Sequence, residues 1–165
     1  MSPMSSEDGG LAMSGTVVLP TSADTEQFGR TLARGLVAGD LVVLDGPLGA
    51  GKTALTKGIG AGLGVRGRVT SPTFVIAREH RPGTRTDGGT PVGMVHVDAY
   101  RLGGSGPHAL DELDALDLDT DLASAVVVVE WGEGIVEQLT DRHLRVRLRR
   151  EPEMDVRTAH WEWTS

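Results

Sequence analysis

With 165 residues and a net charge of −7, the chain has room for one domain with a real core, and its charge argues against a dedicated nucleic-acid-binding surface. It contains no Cys and no Asn, which excludes disulfides, cysteine-ligated metal sites, a catalytic Asn and the Asn-Lys-x-Asp motif that reads guanine. No stretch approaches the roughly 20 apolar residues of a membrane span, and Met1–Gly15 has neither the basic nor the apolar region of a secretory signal. These features predict a cytoplasmic protein with a flexible tail over 1–15 and one domain over 16–165.

Thr16–Leu19 is a short β-branched run closed by Pro20, the pattern of a first strand. Thr21 or Ser22 then offers a helix N-cap, with Asp24 in the first turn where the helix dipole favours an anion. Phe28, Leu32 and Leu36 recur every four residues as the buried stripe of that helix, which Gly39-Asp40 is expected to end. Leu41–Leu44 reads as a strand covered on both faces. A Gly-rich loop follows, then a helix from about Lys52 that Gly62 and Gly64 should close.

Phe74–Ala77, Val92–Val97 and Ala125–Val129 are further strand candidates, and Arg81–Pro91, rich in Gly, Thr and Pro, reads as a mobile hairpin loop. Pro107–Leu118 and Ile135–Leu139 are helix candidates. His143–Leu148 and Val156–Trp163 alternate apolar and polar residues, as half-exposed antiparallel strands do. The order predicts a single α/β domain of the P-loop NTPase class. Its mixed sheet would be parallel at the centre, with antiparallel additions, and flanked by helices. An acidic segment (Asp111, Glu112, Asp114, Asp117, Asp119, Asp121) and a basic one (Arg142, Arg145, Arg147, Arg149, Arg150) read either as solvated faces or as docking patches.

Gly46-Pro47-Leu48-Gly49-Ala50-Gly51-Lys52-Thr53 matches G-x-x-x-x-G-K-[ST] in full, between a strand and a helix. Its glycines permit backbone angles and close approaches that a Cβ would block. Successive amides can then face phosphate oxygens, with the positive end of the following helix behind them. In such a loop Lys52 reaches the β- and γ-phosphates and the Thr53 hydroxyl binds Mg²⁺. The nucleotide-binding set is thus Gly46, Gly49, Ala50, Gly51, Lys52, Thr53 and Ala54.

A metal beside the phosphates calls for an acid. Val126–Val129 leads into Glu130, and a carboxylate buried beside four valines is costly unless a cation compensates it. Glu130 is therefore the expected metal partner of Thr53. Asp98, ending Val95-His96-Val97-Asp98, is a second acid, suited to supporting the metal shell or orienting the attacking water. His96 shares a strand face with Asp98, and is read as a structural hydrogen-bonder. No His/acid spacing points to a transition-metal site. The hydroxyls of Ser71-Pro72-Thr73 either sense the γ-phosphate, as switch segments do, or simply form a turn.

The phosphate loop, Thr70-Ser71-Pro72-Thr73-Phe74, His96-Val97-Asp98-Ala99-Tyr100-Arg101-Leu102 and Glu130-Trp131 occur in that order. Together they resemble the bacterial TsaE (YjeE) ATPases, over about Thr16 to Trp163. The resemblance implies an ATPase that works with TsaB and TsaD to make threonylcarbamoyladenosine beside the tRNA anticodon. TsaD would carry the transfer chemistry, and ATP hydrolysis would reset the complex, with tRNA met only through it. It implies Mg²⁺ on Thr53 and Glu130, an essential role for Asp98, and nucleotide contacts from Thr21 and Arg157. The catalytic set is then Lys52, Asp98 and Glu130. Ala54 departs from the family, where a second Thr is common, and the 81–91 loop and the tail are longer than usual.

The resemblance predicts slow ATP turnover alone and faster turnover with partners, as a missing transition-state cation is worth roughly 10³–10⁵ in rate. Two other readings remain at this level. A small-molecule P-loop kinase would use Arg78, Arg81 and Arg85 as a phosphate-closing lid and yield a phosphorylated metabolite. A non-catalytic module would bind ATP without consuming it.

Overall fold

The computed structural model describes residues 13–47, 50–65, 77–84, 92–98, 125–130, 143–151 and 156–164. Expectations for 1–12, Leu48, Gly49, 66–76, 85–91, 99–102, 107–121, 131, 135–139 and Arg142 fall outside them.

The chain opens with β1 (Ser14–Leu19) and α1 (Ser22–Ala33), followed by β2 (Leu41–Asp45) and α2 (Lys52–Leu63). Then come β3 (Ala77–His80), β4 (Gly93–Asp98), β5 (Ala125–Glu130), β6 (His143–Glu151) and β7 (Val156–Thr164). The strands form a seven-stranded sheet in the order β1-β7-β6-β2-β5-β4-β3. β6, β2, β5 and β4 run parallel to one another, while β7 and β1 add antiparallel strands at one side and β3 at the other. The mixed α/β sheet expected from the order of elements is thus present.

Burial explains the parallel centre. Leu41–Leu44 and Ala125–Glu130 are buried at every position, which parallel strands require because both of their faces are inside. β6 and β7 alternate instead: Leu144, Val146, Leu148, Ala159 and Trp161 join the core, while Arg147, Arg149, His160 and Glu162 are exposed. The core under the helices collects Phe28, Leu32, Leu55, Ile59 and Leu63 with Val42, Leu44, Met94, Val126, Val128 and Trp161. The Phe28 and Trp161 rings meet at 5.4 Å between centroids.

Three expectations change. β6 is not wholly antiparallel: it pairs parallel to β2 and antiparallel only to β7. Of the Phe74–Ala77 run only Ala77 is described, as the first residue of β3. α1 stops at Ala33 rather than near Gly39. The chain leaves by tight turns, Gly35 N–H to Leu32 O and Leu36 N–H to Ala33 O, and Asp40 Oδ2 accepts from Val37 N–H at 2.8 Å. Leu36 is fully buried all the same, so the hydrophobic period outlives the helix.

Gly62 lies inside α2, and the cap is Gly64 at φ 77°. Gly62 serves packing instead. A Cβ there would lie 2.6 Å from Ala33 Cβ, one on Gly58 would lie 2.0 Å from Glu26 O, and one on Gly29 2.5 Å from Leu55 O. The two helices therefore touch backbone to backbone. No described helix is long and apolar enough to cross a membrane.

Candidate functional site

The parallel register gathers the expected site at one end of the sheet. Leu44, one residue before the end of β2, stands opposite Glu130 of β5, and Glu130 stands opposite Asp98 of β4. Three adjacent parallel strands thus deliver the start of the Gly-rich loop and the two acids in one row. Ligands of open α/β sheets bind at this carboxyl edge.

The loop leaves β2 through Gly46, at φ 154°, where a Cβ would come within 2.7 Å of Leu148 O. It enters α2 through Gly51, at φ 105° and ψ 15°, a left-handed conformation that side-chain-bearing residues rarely adopt. Because the N-cap is Gly, α2 begins with no side-chain cap, and no acid lies in its first turn. Leu55 N–H closes the first turn on Gly51 O at 2.9 Å.

Lys52, only 6% exposed, folds back across the loop, where its Nζ donates to Gly46 O at 2.5 Å. A buried ammonium is thus held over a loop that brings no carboxylate of its own. Ala50 is buried, and Thr53 and Ala54 are half-buried at the helix entry. Thr56 spends its hydroxyl inside the helix, on Lys52 O at 2.9 Å.

Glu130 is 6% exposed, and its Oε2 lies 2.6 Å from Nε2 of the fully buried His96. This contact is diagonal across β4 and β5, because His96 is in register with Val128, two residues before Glu130. The sequence reading of His96 as a structural hydrogen-bonder agrees with this contact, whose partner lies on the neighbouring strand. The signal for the pair was present: a His two residues before Asp98, on a strand that becomes the neighbour of β5. Asp98 itself is placed by its backbone, as the register partner of Glu130.

Thr21 and Arg157 come to the same end of the sheet. Arg157 is the register partner of Leu19, two residues before Thr21, on one side and of Arg150 on the other. Thr21 caps α1: its hydroxyl donates to Asp24 Oδ2 at 2.7 Å and accepts from Asp24 N–H at 3.2 Å, and its own N–H donates to Asp24 Oδ2. One turn later lies Thr25, a residue the sequence reading missed. It is buried, and its Cγ2 would stand 3.6 Å from a Cβ on Gly51. Among the described residues, no group of three or more His, Asp or Glu is arranged to hold a metal on its own.

The sequence model described as threonylcarbamoyl adenosine biosynthesis protein TsaE matches residues 19–159. A relative in Mycobacterium tuberculosis H37Rv, named tRNA threonylcarbamoyladenosine biosynthesis protein TsaE, is 57% identical over 155 residues, covering 93% of this chain and 90% of its own. A relative of the same name in Streptomyces coelicolor is 60% identical over 124 residues, 75% of this chain and 78% of its own. Among solved structures, Bacillus subtilis YdiB is similar at a TM-score of 0.67 with 28% identity, covering 92% of this chain and 85% of that one.

Proposed function

This chain belongs to the TsaE family of threonylcarbamoyl adenosine biosynthesis proteins, and from that premise we propose that it is a P-loop ATPase. It binds ATP with Mg²⁺ and hydrolyses it in support of TsaB and TsaD during modification of the anticodon-adjacent adenosine of tRNA. The observation that carries this reading is the buried Lys52 ammonium over a Gly-rich loop whose helix has no side-chain cap, with Glu130 in register with Leu44 on the strand that leads into that loop.

The residues fit the nucleotide and its metal. Glycines at Gly46 and Gly51 keep side chains off the loop, Lys52 supplies the cation for the β- and γ-phosphates, and the helix N-terminus favours negative charge. Thr53 and Glu130 would hold Mg²⁺, which neutralises charge on the β- and γ-oxygens when bound. A buried Glu130 holding a divalent cation would be compensated, where the same carboxylate alone among valines would be costly. Asp98, beside Glu130, is the residue to orient the attacking water or support the metal shell.

Phosphoryl transfer depends on position and charge, and a loop lysine with one metal supplies only part of that stabilisation. Turnover by the isolated chain is therefore slow, and the partner pair raises it. The test is phosphate release with and without purified TsaB and TsaD, for wild-type and Lys52→Ala protein. Stimulation that disappears in Lys52→Ala supports the proposal, and equal rates with and without the partners remove partner gating. A phosphorylated metabolite in place of free phosphate would identify a kinase instead.

A further inference from the structure

His96 is buried completely, yet no step above uses it. Its Nε2 lies 2.6 Å from Glu130 Oε2, inside a patch where Val97, Val128 and Val129 are fully buried as well. At that distance and in such low-dielectric surroundings, the hydrogen bond is strong. With an N–H at Nε2, the ring donates to Oε2, the direction in which a carboxylate oxygen accepts. Among the described residues Nδ1 has no hydrogen-bond partner.

We infer that His96 is a positioning residue: its Nε2–H holds Oε2 of Glu130 and leaves Oε1 as the oxygen available to the divalent cation. The inference rests on the proposed function, in which Glu130 is a metal ligand. Glu has three side-chain torsions, and without a second anchor its carboxylate would sample several directions. His96 removes that freedom from the adjacent strand, where β4 itself is fixed by its pairing with β5. Outer hydrogen bonds of this kind orient the ligands of a metal, and their loss typically costs about 10- to 100-fold in metal affinity or activity.

The test uses the whole chain and reads Mn²⁺ binding by electron paramagnetic resonance, with a saturating non-hydrolysable ATP analogue. Affinity for the analogue alone, in EDTA, is measured alongside. His96→Gln keeps an N–H donor at the distance of Nε2, whereas His96→Asn places its donor nearer the backbone, at the distance of Nδ1. The inference expects His96→Asn and His96→Leu to weaken Mn²⁺ binding about 10- to 100-fold, with metal-free affinity unchanged. His96→Gln should recover most of the loss. Equal Mn²⁺ affinity in Gln, Asn and wild type overturns it, as does an equal loss in Gln and Asn. Glu130→Gln separates the layers. If that variant binds Mn²⁺ normally, the metal assignment fails and the inference with it. If it loses Mn²⁺ while His96→Asn does not, only the role of His96 fails.

Discussion

Helix α1 closes its own N-terminus, with Thr21 and Asp24 exchanging hydrogen bonds across the first turn, whereas α2 enters from a left-handed Gly51 with no side chain returning to it. Both helices have the same length, 12 residues, and they pack against each other through bare backbone. The difference therefore does not come from the scaffold. α1 satisfies its N-terminus locally, which stabilises the fold and leaves little for a ligand. α2 gives up that stabilisation, and enters through a left-handed glycine, at the end where Lys52 and the loop meet the carboxyl ends of the parallel strands. A helix N-terminus left without a side-chain cap keeps its amides available to an anion the chain does not itself contain.

This contrast can be broken at either helix. Lys52→Ala should act most strongly: ATP hydrolysis is expected to fall at least about 100-fold, the size of losing one preorganised charged donor, with little change in melting temperature. Normal turnover would remove the loop as the site. Gly58→Ala should cost about 1–3 kcal/mol of stability in a denaturant titration, because its methyl would meet Glu26 O at 2.0 Å. A neutral or stabilising result would mean that the helices are not in backbone contact.

Gly51→Ala should cost about 1–2 kcal/mol through conformational strain, since a Cβ there meets only ordinary contacts, and it should weaken ATP binding too. Thr21→Ala should cost about 1 kcal/mol by removing the cap. Calorimetry with ATP then sharpens the comparison: an unchanged affinity would confine Thr21 to capping, and a weakened one would add the nucleotide contact that the family resemblance implies.

What was legible in the sequence was local. The phosphate loop, the Thr21–Asp24 cap and the valine strand ending in Glu130 each lie within about ten residues of chain, and each describes its own geometry. Non-local relations were less accessible. Nothing in His143–Leu148 says that one neighbour would be parallel and the other antiparallel, because alternation reports burial of a face and not the direction of a partner. The end of α1 was hidden because Leu36 stays buried after the helix stops. Gly62 resembled a terminator because a glycine needed for close approach and one needed for a left-handed turn are the same letter. The His96–Glu130 bond joins residues 34 apart in sequence, and only strand order brings them together.

The glycine-lined seam between α1 and α2 has a mechanical consequence. Side chains at an ordinary helix interface act as compliant bearings, changing rotamer to absorb small shifts. Here Gly29, Gly58 and Gly62 remove that cushion where the backbones come closest, so no rotamer change at those points can take up a shift of one helix against the other. A displacement of α1 there would meet backbone directly, in the helix that begins at Lys52.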